Sequence, residues 1–130
     1  LSIATFQIGE GDDETFLTIT PFGVLNEAML LPNVNRWRGQ VGLPGLGPGE
    51  KVAGVEDLPA GKNTMHYLKL AQDDVQPGQK AMLVGYVNQS GQSYIFKLMG
   101  KAPLVLDEEA RFKSFIQSVR FSPKEEADDE

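Results

Sequence analysis

The chain has 130 residues, of which 41% are hydrophobic and 23% are charged, values typical of one globular domain rather than of a disordered chain. A domain of this length forms a core without disulfides. The chain has no cysteine, which excludes thiolate metal sites and a cysteine nucleophile. No apolar run approaches the roughly 20 residues that a membrane-spanning helix needs.

The formal net charge of −6 is concentrated at the carboxyl end. Without residues 124–130 the chain keeps 11 basic and 13 acidic residues, so its body is nearly neutral. We therefore predict a single domain over residues 1–123 and an acidic, disordered tail over residues 124–130, a tail that would also suit docking to a basic partner. Nucleic acid is not an expected partner, because phosphate binding needs a clustered basic surface.

The first elements form a predicted β-hairpin. Residues 1–8 alternate between apolar and polar positions, residues 9–13 are a polar turn, and residues 14–20 are rich in β-branched and aromatic side chains. Pro21 is expected to end the second strand. Because the chain begins inside a strand and without an initiator Met, we expect further sequence upstream of Leu1.

A helix is predicted next. Asn26 suits the N-cap of a short turn, and Pro32 is expected near the start of the following helix, over residues 33–41. Three large apolar residues recur there at helical spacing and share one face: Val34, Trp37 and Val41. Residues 42–49 contain four glycines and two prolines, which predict a surface loop.

Strands dominate the second half of the chain. They are predicted over residues 64–70, 80–87 and 93–99, and residues 88–92 join the last two as a hairpin loop. Residues 52–57 fit a short strand or a helix equally well.

The strand over residues 80–87 is apolar on both faces from position 81 onward, which predicts a central strand. A last helix is expected after Pro103, with the acids of residues 107–109 in its first turn and a buried face made of Phe112, Phe115, Ile116 and Val119. This order of elements predicts an α+β fold, with a mainly antiparallel β-sheet flanked by helices.

Catalytic motifs are absent from the sequence. His66 is the only histidine, and one histidine cannot form a zinc site without cysteines or a carboxylate cluster at suitable spacing. The chain has no nucleophile elbow and no phosphate-binding loop. The glycosylation sequon at Asn88 is sufficiently explained as turn chemistry. We therefore expect no catalytic residue, no metal and no cofactor.

Segment 33–40 is the strongest candidate for a binding site. It concentrates two Asn, two Arg, a Gln and the only Trp, and Trp and Arg are the residues most enriched at binding hot spots. The structural interpretation, which we favour, has Trp37 anchoring the helix to the sheet and the asparagines capping or bracing loops. The functional interpretation is a ligand site made of Asn33, Asn35, Arg36, Trp37, Arg38 and Gln40.

Helical spacing assigns the two arginines different roles. Arg36 lies three residues after Asn33 and four before Gln40, so these three share a polar stripe. Arg38 faces another direction. We therefore expect Arg36 to contact an acidic ligand and Arg38 to bond a loop carbonyl or a carboxylate of the body.

The same part of the chain carries a family resemblance. Residues 31–44 resemble the signature NVNRWRxQxGLP of an uncharacterised group of bacterial exported proteins, many of them predicted lipoproteins of planctomycete type. The similarity continues through residues 3–6, 94–100 and 112–121. It implies an extracytoplasmic location, in the periplasm or cell envelope, and a lipidated cysteine upstream of Leu1.

The layout of the elements is similar to that of the PsbP and Ran-binding Mog proteins. That likeness implies an α/β/α sandwich and a non-enzymatic role in binding larger partners. The function we expect is thus an extracytoplasmic binding or accessory module that recognises a protein or an anionic group. A structural part of an envelope assembly fits the sequence equally well. The alternative is a small, hydrolase-like enzyme whose site is assembled from scattered residues: His66, Arg36, Arg38 and Asp73.

Overall fold

The computed structural model describes residues 4–8 and 15–121, and within them it has an α+β fold with a six-stranded antiparallel sheet and three helices. The predicted fold class is confirmed. The elements are β1 (Ala4–Ile8), β2 (Thr15–Gly23), α1 (Glu27–Gln40), β3 (Glu56–Ala60), β4 (Asn63–Leu70), β5 (Lys80–Gln89), β6 (Gln92–Lys101), α2 (Ala102–Asp107) and α3 (Glu109–Gln117). The predicted turn at residues 9–13 and tail at residues 124–130 lie outside the described residues.

The strands lie in the order β1-β2-β6-β5-β4-β3, and neighbours are antiparallel throughout. β5 lies between β4 and β6, and its residues 81–87 are all buried, which confirms the predicted central strand. The β5–β6 hairpin turns at Ser90 and Gly91. Both have positive φ, 52° and 76°, as a tight two-residue turn between twisted strands requires.

Each face of the sheet packs against different helices, because side chains alternate along a strand. The face covered by α2 and α3 contributes a core that includes Met65, Tyr67, Leu83, Phe96, Leu98, Val105, Phe112 and Ile116. The face covered by α1 contributes a second core that includes Val34, Trp37, Val41, Leu68, Met82, Val84, Tyr86 and Ile95. The sheet is therefore enclosed by helices on both sides.

α3 approaches the middle of the sheet closely at Gly85 of β5. A Cβ at this position would lie 2.9 Å from Cδ1 of Ile116, whose side chain is fully buried. Gly85 thus removes the side chain that would otherwise hold α3 away from the sheet.

α1 is longer than predicted. It begins directly after Asn26, whose side chain accepts a 3.0 Å hydrogen bond from the backbone N–H of Met29, and it continues through Pro32 without a separate turn. The prediction that the helix starts near Pro32 was therefore wrong. Proline removes one helical hydrogen bond. In α1 the N-cap before it and the buried Val34 and Trp37 after it hold the helix together.

Several strand boundaries also differ from the prediction. The hairpin loop expected over residues 88–92 is a turn of two residues, because β5 extends to Gln89, which pairs with Gln92 of β6. β2 continues through Pro21, which pairs with Tyr94 of β6. The described pairs between β1 and β2 end at Ala4 and Ile19, so among the described residues Pro21 pairs with β6 alone, and its missing N–H removes no bond between the described parts of β1 and β2. Residues 52–57 fitted a strand and a helix equally well in the sequence. In the structure residues 52–55 have no regular secondary structure, and β3 begins at Glu56.

The carboxyl-terminal helix is divided in two at Glu108, where a single helix from Asp107 was expected. Phe112 and Ile116 are buried, as predicted, and Val119 packs at the edge of the same core. Phe115 lies at the margin of this face: 39% of it is exposed, and its ring centroid is 6.0 Å from that of the buried Phe96. None of the described helices is long and apolar enough to span a membrane.

Candidate functional site

The apolar face of α1 orients the whole of segment 33–40. Val34, Trp37 and Val41 are buried against the sheet, and Trp37 is 0% exposed, which confirms the structural interpretation of this residue. Its Nε1–H has no hydrogen-bond partner among the described residues. Trp37 is therefore an anchor of the helix and not a surface on which a ligand could stack.

One flank of α1 braces the glycine- and proline-rich loop. The side chain of Asn35 accepts a 2.7 Å hydrogen bond from the N–H of Leu46 and donates a 3.0 Å bond to its carbonyl. Arg38 donates from Nε to the carbonyl of Pro44 at 2.7 Å. These bonds confirm that Arg38 bonds a loop carbonyl and that Asn35 braces a loop.

The opposite flank of α1 presents Arg36. Its guanidinium donates a 3.2 Å hydrogen bond to Oδ1 of Asn33, and the amide of Asn33 in turn donates to the carbonyl of Met29 at 2.8 Å. Asn33 is 7% exposed whereas Arg36 is exposed. The buried amide of Asn33 thus orients the exposed guanidinium of Arg36, and Gln40 continues the same stripe as an exposed residue at the end of the helix.

A second cation beside Arg36 was not identified from the sequence. Lys97 of β6 is half-buried on the face of the sheet that α1 covers, between Ile95 and Met99 in the same strand. Burial, and then the nearby charge of Arg36, lower the pKa of the Lys97 ammonium from its usual 10.5. In the sequence, Lys97 is marked only as a charged residue between two apolar residues on one face of its strand. This pattern does not show that Arg36 lies near it.

The strand register adds a hydroxyl to this pair. Thr18 of β2 pairs directly with Lys97, so the two side chains project from the same face of the sheet, with their Cβ atoms about 5 Å apart. Thr18 is half-buried as well. We call the group formed by Asn33, Arg36, Lys97 and Thr18 the cationic site.

No carboxylate in the described part of the chain forms an ion pair with Arg36 or Lys97. Other cations do have acidic partners: Lys69 with Glu109, Arg111 with Glu108 and Lys113 with Glu56. A half-buried ammonium next to a guanidinium costs free energy unless an anion compensates it. The cationic site is therefore suited to an anionic group from outside these residues.

The four residues of the enzyme alternative do not line one common cavity. His66 on β4 bonds Asp57 on β3, with 2.7 Å between Nδ1 and Oδ1, and its ring is 4.8 Å from that of Tyr86. Arg38 and Asp73 line a cavity of about 390 Å³ to which neither His66 nor Arg36 contributes. Within the described ranges no group of three His, Asp or Glu residues could hold a metal ion.

Neither a protein-family model nor a curated protein matches the chain. Among solved structures the fold is similar to that of PA94 from Pseudomonas aeruginosa, a protein of unknown function whose description suggests a regulator. The TM-score is 0.56 over 92% of this chain and 83% of that one, at 15% identity. At this identity the likeness shows a shared fold alone.

Proposed function

We propose that this domain is a non-enzymatic, extracytoplasmic binding or accessory module that recognises an anionic group at the cationic site. Two observations carry the proposal. Arg36, held by Asn33 on α1, and the half-buried Lys97 lie on the same side of the sheet, and neither has a carboxylate partner in the described residues. The extracytoplasmic location is supported by the resemblance of residues 31–44 to the signature of exported proteins.

The hydrogen bonds on α1 support a division of roles. Arg38 is engaged by the carbonyl of Pro44, and Asn35 by Leu46, so these two stabilise the loop. Arg36 is bonded only to Asn33 among the described residues, which orients its guanidinium and leaves other N–H groups free to donate. Arg36, the more exposed of the two arginines, is therefore the one that we assign to the ligand.

The test is a titration of the isotope-labelled domain with sodium acetate, followed by amide chemical shifts. We expect the largest shifts at Asn33, Arg36, Thr18 and Lys97, and we expect Arg36→Gln to remove them without lowering the melting temperature. Lys62→Gln, a change of an exposed turn lysine, is the matched control and should leave the shifts unchanged. The site would be ruled out if acetate shifted the amides of exposed lysines evenly, or if Arg36→Gln showed the same shifts as the wild-type domain.

A small, hydrolase-like enzyme is the second candidate, because Asp57 bonds Nδ1 of His66 and so orients the imidazole. In that case Nε2 would act as the general base. The measurement is hydrolysis of p-nitrophenyl acetate by the domain and by His66→Ala. If the domain hydrolyses the ester faster than free imidazole does and His66→Ala removes this excess rate, the enzyme is favoured. Equal rates for the domain and the variant would rule it out.

A further inference from the structure

We infer that two copies of this domain pair through the outer edge of β1 into a two-fold symmetric dimer, in which Phe6 of each copy fills an apolar cavity of the other. The inference is independent of the proposed anion binding, because it involves no residue of the cationic site. Three features carry it: the composition of β1, the cavity beside β1 and the protection of the opposite edge of the sheet.

The first feature is an edge strand without protection. In the described part of the sheet β2 is the only strand that pairs with β1. Proteins protect such edges from pairing with another chain by charged residues, by proline or by a covering element. β1 (Ala4–Ile8) has neither a charged residue nor a proline, and four of its five residues are exposed. β1 is therefore suited to pair with a further strand.

The side chains of β1 also leave an apolar surface open to solvent. Phe6 pairs with Leu17, which in turn pairs with Leu98 of the core, so Phe6 and Ile8 project from the face that α2 and α3 cover. These helices pack mainly on β3, β4, β5 and β6. Phe6 is therefore 52% exposed and Ile8 44% exposed, although both continue the apolar row of the core.

The second feature is a small cavity between β1 and α3. Its volume is about 140 Å³, close to the roughly 150 Å³ of an apolar cavity that holds a benzene ring. Its two charged residues, Glu108 and Arg111, bond each other at 2.6 Å, so an occupant need not supply a charge. The lining residues are Ile8, Leu17, Leu98, Glu108, Arg111, Phe112 and Phe115. The cavity therefore fits one phenyl ring.

The exposed ring that fits this cavity belongs to the same strand. If β1 pairs antiparallel with β1 of a second copy, a two-fold axis can set Phe6 of each copy opposite Ile8 of the other. Residues directly opposite each other have Cβ atoms about 5 Å apart, and an aromatic ring packs well against a β-branched side chain. Because Ile8 lines the cavity, this register brings Phe6 of the second copy to the cavity. Projection and cavity thus lie on one edge, as a symmetric dimer contact requires.

The third feature is the opposite edge of the sheet, which is protected. β3 carries Glu56, Asp57 and Pro59 within five residues. α3 also binds it: Lys113 lies 3.1 Å from the carboxylate of Glu56, and Gln117 donates a 3.3 Å hydrogen bond to the carbonyl of Pro59. Pairing through β1 therefore stops at two copies, because the resulting sheet ends in a β3 strand on both sides.

The experiment is sedimentation equilibrium of the domain at about 0.15 M ionic strength, where the repulsion between two chains of net charge −6 is screened. One short strand pair and two rings bury less than the roughly 800 Å² per partner of a standard interface. We therefore expect a reversible dimer with a dissociation constant on the order of 10–100 μM. No larger species should form as the concentration rises.

Phe6→Lys should raise this dissociation constant at least about tenfold, because it buries an unpaired charge in the contact. Since Phe6 is half-exposed in one domain, a dilute sample of the variant should keep the melting temperature of the wild type. Met29→Lys is the matched control, because Met29 on α1 is 42% exposed and the change adds the same charge. It should leave the dimer unaltered.

Cross-linking checks the register, because the chain has no cysteine of its own. An equimolar mixture of Phe6→Cys and Ile8→Cys should form a disulfide-linked dimer in air faster than either variant alone. A domain that stays monomeric at the highest concentration contradicts the dimer and leaves β1 to a strand of another protein. A dimer that Phe6→Lys does not weaken, growth beyond two copies, or fastest cross-linking of Phe6→Cys with itself would each overturn the arrangement.

Discussion

The hydroxyl of Tyr67 on β4 donates a 2.7 Å hydrogen bond to Glu109 on α3, 42 residues further along the chain. Nζ of Lys69 lies 3.4 Å from the same carboxylate, and Lys113 lies over the ring of Tyr67. The bond from Tyr67, and then the charges of Lys69 and Lys113, lower the pKa of Glu109 from its usual 4.5. Burial, and then the neighbouring Glu109, raise the pKa of the Tyr67 phenol above its usual 10.0.

Tyr67→Phe should lower the free energy of unfolding by about 1–2 kcal/mol near neutral pH, because the bond to an ionised carboxylate is lost. Since the folded protein lowers the pKa of Glu109, this stabilisation is present above pH 4.5 and is lost as the pH falls through the lowered value. Urea denaturation of both proteins across acidic pH measures it. The difference between them should shrink at low pH, and a constant difference would show that Glu109 is not the partner.

The same pair predicts the alkaline limit of stability. Because folding raises the pKa of Tyr67, the unfolded chain ionises first, and stability should decline as the pH rises above 10.0. The decline should be smaller in Tyr67→Phe.

Trp37→Ala should destabilise the domain by about 3–5 kcal/mol, since it removes a fully buried indole from the core between α1 and the sheet. Trp37→Phe should lower the free energy of unfolding by less, because an aromatic ring still fills part of the space. The lost Nε1–H also leaves no acceptor unpaired, since it has no partner among the described residues. Chemical denaturation checks both variants. An unchanged midpoint for Trp37→Ala would contradict the packing described above.

Asn35→Ala should release the loop without unfolding α1, because it removes both bonds to Leu46. We expect amide hydrogen exchange to accelerate over residues 43–47, with a stability loss of about 1–2 kcal/mol. Gln40→Ala, a change of an exposed residue of the same helix, is the control and should leave exchange in the loop unaltered.

Gly85→Ala should destabilise the domain by about 1–3 kcal/mol, because the new Cβ would lie 2.9 Å from Ile116. The double variant with Ile116→Val should recover part of this loss, since the contacting Cδ1 is then absent. If the two changes are instead additive in denaturation experiments, the close approach of α3 at this point is not the cause.

Lys97 should react with acetic anhydride more slowly in Arg36→Gln than in the wild-type domain. Burial and Arg36 lower its pKa, so removing the guanidinium raises the pKa and reduces the fraction of neutral, nucleophilic amine. Mass spectrometry of the modified peptides gives the rate at each lysine, with Lys62 as the internal reference. An equal or faster rate at Lys97 in the variant would show that the two cations do not interact.

The sequence by itself determined those features that depend on one element at a time. The spacing of Val34, Trp37 and Val41 specified the buried face of α1, and that face in turn directed Arg36 and Arg38 to different flanks. The unbroken apolar run of residues 81–87 specified the central strand. Periodicity is a local property, and it shows which side of a helix or strand meets the core.

The tertiary structure decided which elements meet. Lys97 lies 61 positions after Arg36, and Thr18 lies 18 positions before it, so no local pattern could place these residues together. Their proximity follows from the pairing of β2 with β6 and from the path of α1 over one face of the sheet.

The exposure of Phe115 was also decided by the tertiary structure. Phe112 and Ile116 are buried between α3 and the sheet, whereas Phe115 packs beside Phe96 at the margin of this face and stays 39% exposed. Side-chain periodicity identifies a buried face, but the strand register and the packing of helices on the sheet determine what that face and its edges contact.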